Sequence, residues 1–482
     1  MSITSTVTSI TRTPSTGFPD QAPTAVPHPE HPSARRLSIV TDLPRRGRGG
    51  LTAAGLPCTV AHEIGVPTVH RTVVDIANFD HGATTPALVA VKETVDKVSP
   101  TYGSVHRGAG FASRVTTGWF EEARAEVGRF VGARPDDEVI FTRNTTDALR
   151  LLAHALPSDA LVFAWQSAHH AALLPWPAGR TTALRVPTSV ADAVDLLQTA
   201  LATADPSAPK LVVLTGACNV TGEVWPVREL ASVAAAFDAR VVVDGAQLVP
   251  HQAVDLDDLG ADWIAFSGHK MYAPYGAGAL VGRADWLDAA EPYLPAGGAT
   301  HTVSDDGIRW QTGPARHEGG TPNALGAIAI AAACATLTRH REAIDRHEEA
   351  LAARLRSGLG DIPGVRIVSA LGPDRPNVGV VTFTVDGWDS SLVSQVLSDE
   401  DGIAVRDGRF CAHLLCDAVV GQSAAAVRAS LGLATTVDHV DRLIAGVRRL
   451  VTSGSALPYR HVPGQGWEAI GDPRDLSQPR PW

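Results

Sequence analysis

Cysteine is scarce in this chain. Five occur in 482 residues, at positions 58, 218, 334, 411 and 416, too few and too scattered for a disulfide framework. They form no C-x-x-C pair, and Cys411 and Cys416 lie five apart, so no metal site is expected. Long apolar runs are missing too. No stretch approaches 18 uncharged apolar residues, which argues against a membrane span. The first twenty residues lack the apolar core of a signal peptide, and the chain is expected in the cytoplasm. Positive charge is in deficit: 41 Lys and Arg face 51 Asp and Glu, a formal charge of −10. A phosphate backbone would be repelled on average, so nucleic acid is not an expected partner. Aromatic residues reach only 5%, whereas alanine, glycine and valine abound. That suits helices packed closely on a sheet better than an all-β sandwich.

What is present divides the chain. Residues 1–66 are rich in Ser, Thr, Pro and Arg without sustained periodicity, and read as a disordered N-terminal extension. Residues 67–95 are expected to pack with a smaller domain, 96–335 to form a large domain, 336–455 a smaller α+β domain, and 456–482 an irregular surface tail. Within 96–335, apolar runs alternate with helical segments. Strands are expected at 138–143, 161–165, 210–215, 240–244 and 263–267, with helices at 147–154 and 227–237. Such alternation marks an α/β fold with a mostly parallel sheet covered on both faces. After about residue 335 come helices at 342–359, 392–397 and 437–451, and strands at 365–368, 379–384 and 403–406.

Two groups at the ends of apolar strands carry chemistry: Asp244 to Gln247, and Ser267 to Lys270. Open α/β sheets bind ligands at strand ends. A pyridoxal-phosphate site needs a lysine for the imine, a carboxylate to keep the pyridine nitrogen protonated, a donor near the phenolic oxygen and donors for the phosphate. Lys270, Asp244, Gln247, and Ser267 with His269 supply these in turn.

The D-G-A-Q run, the 26-residue step from Asp244 to Lys270 and the S-G-H-K run resemble the class-V aminotransferase family. That resemblance extends from Phe79 to Leu431. Ser104 to Gly108, Arg143 to Asp147, Ala168 to Ala171, Cys218 to Gly222, Gly320 to Asn323, Arg406 to Ala412 and Arg428 to Ser430 look like the cysteine desulfurase and selenocysteine lyase branch. The resemblance implies a fold type I architecture: a seven-stranded, mostly parallel large domain and a smaller α+β C-terminal domain. It implies pyridoxal 5′-phosphate as cofactor. Thr145 and Thr146, at a helix start where free N–H groups favour a phosphate, would hold it, with Thr321 contacting it across a homodimer interface. His169 would stack on the ring, and Arg428, Asn219 and His106 would contact the substrate.

Cys411 bears on the activity. Removing sulfur from a bound amino acid needs a nucleophile that can accept it and carry a persulfide, and a thiolate beside Arg406, Arg409 or His413 suits that task. The expected reaction converts L-cysteine to alanine, leaving a persulfide on Cys411, with Lys270 or His169 moving the Cα proton. A sulfur-acceptor protein is the implied partner. The alternative is another class-V specificity: an aminotransferase, epimerase, C–S lyase or selenocysteine lyase. Arg409 and Phe410 stand where the family commonly has a His-His pair, and Ala168 where an acidic residue commonly precedes the stacking histidine.

Overall fold

Strands buried on both faces need no polar alternation, and the apolar runs of this sequence assemble into one such sheet. The computed structural model describes residues 51–477 and 480, apart from 53, 54, 62, 63 and 373. Seven strands, β1 (Asp137–Thr142), β2 (Leu161–Trp165), β3 (Thr181–Leu184), β4 (Lys210–Thr215), β5 (Ala239–Asp244), β6 (Trp263–Ser267) and β7 (Gly278–Arg283), form it. Their spatial order is β1-β7-β6-β5-β4-β2-β3. β7 alone runs antiparallel to its neighbours, β1 and β6, so the sheet is mostly parallel, as expected.

Side chains alternate between two faces along each strand. On β4, Val212 and Leu214 join one buried cluster, with Ile264 and Phe266 of β6, while Leu211 and Val213 join another, with Trp263 and Ala265. Helices cover both faces. α1 (Phe111–Phe130) packs against α4 (Ala324–Arg339), which is apolar almost all round. Two helices between them open the site: α2 (Thr145–His154) and the single turn α3 (His170–Leu173). The Asn144 carboxamide caps α2 by accepting from the Asp147 N–H at 3.0 Å.

Beyond α4, α5 (Arg341–Gly360) leads into a second, antiparallel sheet. It contains β8 (Val365–Ile367), β9 (Val380–Val385), β10 (Arg406–Gly408) and β11 (Ala426–Ser430), ordered β8-β9-β11-β10. α6 (Ser390–Asp401), the short α7 (His413–Val419) and α8 (Val437–Ser453) complete this part. Phe383, Leu397 and Leu443 are fully buried in its own apolar cluster, each contributing roughly 1.5–3 kcal/mol on transfer from water. The N-terminal segment joins it: Ala77–Asn78 pairs in parallel with Ile403–Ala404, and the Val69 N–H donates to the Asp399 carbonyl.

Two boundaries differ from the sequence reading. Of the extension expected at 1–66, residues 1–50 lie outside the described residues. Pairing begins well before 66, however: Leu51 bridges Pro57, Thr59 bridges Leu88, and Gly65–Pro67 pairs with Val73–Asp75. The tail expected to be irregular forms a hairpin, β12 (Tyr459–Val462) with β13 (Gly466–Ala469), turning through Gly464 at φ 78°. Arg474 beyond it is buried against Asp399 at 2.7 Å. Buried acidic groups on α6 thus recruit the tail, a demand invisible in its own composition. Among the described residues, no helix is long and apolar enough to cross a membrane.

Candidate active site

The C-terminal ends of β4, β5 and β6 surround a cavity of about 240 Å³, lined by Thr215, Asp244 and Ser267 from the strand ends. Lys270 reaches it from a 3₁₀ turn, Gly268–Lys270, directly after β6. That turn is tight: a Cβ on Gly268 would lie 2.9 Å from the Ala273 and Ala277 carbonyl oxygens. Among the described residues nothing hydrogen-bonds Lys270 Nζ, and burial pushes its pKa down to about 8 against the opposing pull of Asp244. Asp244 is 7% exposed. Its carboxylate accepts from the Ala246 N–H at 3.0 Å, and burial raises its pKa. A buried carboxylate without a hydrogen-bonded cation is costly, and it fits a ligand that brings a positive N–H.

At one end of the cavity lies the start of α2. The Thr145 N–H donates to Ser267 Oγ at 2.7 Å, and the two hydroxyls are also 2.7 Å apart. Thr146 and His269 line the cavity as well. His269 Nδ1 sits 3.2 Å from the Thr84 hydroxyl, and its carbonyl accepts from the Thr85 N–H. Hydroxyls, backbone N–H groups and a positive helix end suit a phosphate. Gln247, buried, donates to the Gly82 carbonyl at 2.6 Å, and its second N–H stays available at the cavity wall.

His169 caps α3 with its ring. Nδ1 accepts from the Ala171 N–H at 3.1 Å, so the neutral ring carries its proton on Nε2. Burial, reinforced by the charge of Lys270, lowers its pKa to about 4. The histidine is therefore neutral at physiological pH.

The cavity mouth is built from the second sheet. Arg428 on β11 is 3% exposed and donates through Nη1 to the Asn219 carbonyl at 3.0 Å. The Asn219 carboxamide donates to the Phe410 carbonyl at 2.8 Å, and the Phe410 ring lies 5.3 Å from the Arg428 guanidinium. Phe410 and Cys411 both adopt left-handed backbone, at φ 49° and 54°. Such geometry costs on the order of 1 kcal/mol per residue, and persists because the turn is tied on several sides. The His170 N–H donates to the Cys411 carbonyl at 2.8 Å, and Arg409 Nη2 to the His413 carbonyl at 2.8 Å. Cys411 is exposed at the mouth. The other four cysteines are free as well.

Lys270, Asp244, Gln247, Ser267, His269, Thr145, Thr146, His169, Asn219, Arg428 and Cys411 all line this one cavity. Two expected residues do not. His106, expected against the substrate, is exposed, its Nε2 held by Glu121 at 2.8 Å. Thr321 lines a separate hollow with Tyr293 and Asn323. His106 is held against α1 by Thr117 and Glu121, and the Thr321 hollow is walled by Thr142, Asp147 and Ala277. Thr215 was missed: its hydroxyl is buried at the cavity wall without a partner, and its place at the end of β4 was the available signal. Asn144 and Phe410 also line the cavity. Arg428 Nε is buried without a partner as well. An unmet hydroxyl on Thr215 beside the buried Asp244, and an unmet N–H on Arg428, fit a phosphorylated, nitrogen-containing ring and an amino-acid carboxylate. Among the described residues no three His, Cys, Asp or Glu side chains gather as a metal site.

Comparison with known proteins agrees with the geometry. The family model described as aminotransferase class-V matches residues 77–443. The chain is 37% identical over 390 residues to a probable cysteine desulfurase 2 of Mycobacterium leprae, covering 78% of this chain and 91% of that protein. It is 36% identical over 360 residues to a cysteine desulfurase of Dickeya dadantii, covering 72% and 85%. Among solved structures, the apo cysteine desulfurase of Thermococcus onnurineus NA1 superposes with a TM-score of 0.70 at 30% identity, covering 78% of this chain and 94% of that one. The S-sulfonic acid form of the Escherichia coli cysteine desulfurase CsdA gives 0.68 at 29%, with the same coverage.

Proposed function

The chain belongs to the class-V aminotransferase family, and from that premise we propose how it acts as a pyridoxal-phosphate enzyme of the cysteine desulfurase kind. The observation that carries this reading is the convergence of Lys270, Asp244, Arg428 and Cys411 on one cavity. Lys270 would hold the cofactor, Asp244 its ring nitrogen, and Thr145, Thr146, Ser267 and His269 its phosphate, with His169 against the ring. When bound, the cofactor supplies an electron sink for bonds broken at the substrate Cα.

Arg428 receives the carboxylate of L-cysteine; its buried, unpartnered Nε and planar fork suit a two-point contact. Lys270, with a pKa near 8, is better poised than His169 to take the Cα proton and return it, because a base works best near the ambient pH. The neutral His169 keeps Nε2–H as a donor. Cys411 attacks the substrate sulfur. The new S–S bond forms as the substrate C–S bond breaks; the electron pair of that bond goes to Cβ, which takes up the proton given up by the Cys411 thiol, leaving alanine and a Cys411 persulfide, so atoms and electrons balance without an outside oxidant. The exposed position of Cys411 supports transfer of that sulfur to an acceptor protein.

A homodimer is part of the reading. Val303 and Ile308, cross-strand partners on one hairpin, are 69% and 52% exposed, an apolar pair that a second subunit would cover. The base of the Thr300–Ser304 hairpin shares a hollow with His106 and Arg107, the loops whose function would depend on a partner subunit. Five unpaired cysteines support the cytoplasm as compartment.

The test mixes the holoenzyme with L-cysteine and a reductant and measures sulfide and alanine together. Equimolar release is expected, with a Cys411→Ala variant losing about 100-fold or more while its cofactor absorbance stays. A bound cofactor with no sulfide from the unsubstituted protein would assign it to another amino acid.

A further inference from the structure

β10 and β11 are registered so that Arg406 lies directly opposite Arg428. Like charges in that relation repel and destabilise a sheet, and here one of the two is 3% exposed. A third segment intervenes. Asp80 accepts from Arg428 Nη2 through Oδ1 at 3.2 Å and from Arg406 Nη1 through Oδ2 at 3.3 Å. Its own place is held by β11: the Ser430 N–H donates to the Phe79 carbonyl at 2.6 Å, and the Gly82 N–H donates to Ser430 Oγ at 2.7 Å. Asp80 is therefore locked in register two residues from the arginine it contacts. It does not line the cavity.

Charge counting gives the arrangement a purpose. Two guanidinium groups and one carboxylate leave a single net positive charge at the mouth, the complement of one substrate carboxylate. The connections also form a circuit. Asp80 binds Arg428, Arg428 binds the Asn219 carbonyl, and Asn219 binds the Phe410 carbonyl next to Cys411. Arg406, the second partner of Asp80, lies five residues before Cys411, at the start of the strand that leads into its turn.

We propose that Asp80 is a positioning residue which holds Arg406 and Arg428 together against their mutual repulsion and aims Arg428 at the substrate carboxylate. The idea deepens the reading of Arg428 as the carboxylate clamp and rests on it. Asp80 acts through Arg428 and touches neither cofactor nor substrate.

The experiment titrates holoenzyme with L-cysteine and with cysteamine, the same amine and thiol without a carboxylate, and follows the cofactor absorbance. Asp80→Ala should raise the half-saturating L-cysteine concentration about tenfold, the effect of roughly one charge-assisted hydrogen bond, and leave cysteamine unchanged. Asp80→Asn, which keeps an acceptor for Arg428, should show a smaller shift and serves if the alanine variant folds poorly. Equal weakening of both ligands would mean that Asp80 merely supports the fold, and would overturn the proposal. So would unchanged or tighter L-cysteine binding, which would make Asp80 a bystander or a competitor for Arg428. Absorbance does not depend on sulfide release, so an unsubstituted protein that binds L-cysteine without desulfurating it would sink the desulfurase reading alone.

Discussion

Lys270 carries an amino group without a hydrogen-bond partner among the described residues, and it feels the charges of the buried Asp244 and of Arg428. Its folded pKa near 8 lies below the ordinary 10.5, so the unfolded chain binds the extra proton between those values. Apo-protein stability therefore gains from Lys270 deprotonation as pH rises from about 8 to 10.5. A Lys270→Met variant should be more stable than the unsubstituted apo-protein at pH 7, and that advantage should shrink across this window in denaturant titrations. Imine formation with pyridoxal phosphate requires the free amine. Its rate in the apo-protein should rise with pH and level off above about 8, falling roughly tenfold per unit well below it. His169, already neutral above about 4, should add no inflection near the usual imidazole range; a His169-dependent step there in the pH profile would contradict the assignment.

At the scale of elements, strands of the second sheet meet the loop after β4: Thr382 on β9 donates to the Val220 carbonyl and Arg428 on β11 to the Asn219 carbonyl. The Phe410–Cys411 turn is fastened to α3 through His170 and to the loop after β4 through Asn219. The stability of the second sheet thus bears directly on the position of the thiol. α6 packs behind that sheet and is capped by Asp389, which accepts from the Ser391 and Leu392 N–H groups. Its last turn presents Asp399 and Glu400, 3% exposed each, to the C-terminal hairpin. Arg474→Ala would leave Asp399 buried and unpaired apart from Gln395. A loss of about 3 kcal/mol is expected, measured by chemical denaturation. None of this was legible locally. The helix was readable from its apolar spacing, but the tail shows only proline, glycine and tryptophan until its partner α6 is known. β7 was overlooked for a related reason: glycines at its start and next to its end weaken a strand signal, and only pairing with β1 and β6 makes it one.

Across the whole molecule, the exposed apolar residues and the two expected site residues left outside the cavity lead to the same expectation, a homodimer. Ile308→Asp on the Gly307–Trp310 strand should shift the protein toward monomer in sedimentation or light scattering. If the hairpin were merely solvent-facing, the mass would not change. We also propose a domain boundary at the α4–α5 junction around His340, since the expected division at 336 falls on a buried residue within α4; the separate apolar cluster beneath the second sheet is consistent with it, and limited proteolysis should cut there before it cuts within β1–β7.

The residues alone determined much of this protein. Apolar runs with turn signals specified a parallel, doubly covered sheet, because buried strands must be apolar on both faces. A lysine and an acid at successive strand ends specified the cofactor, because few chemistries need that pair. Tertiary structure decided what depends on distance along the chain. It set Asp80 between two arginines more than 320 positions away, since only strand register makes Arg406 and Arg428 opposite neighbours. It excluded His106 and Thr321 from the cavity of their own chain, and drew an unremarkable tail onto buried acids. Pattern in sequence reports what each segment needs to bury, whereas the choice of partner is made only when the segments meet.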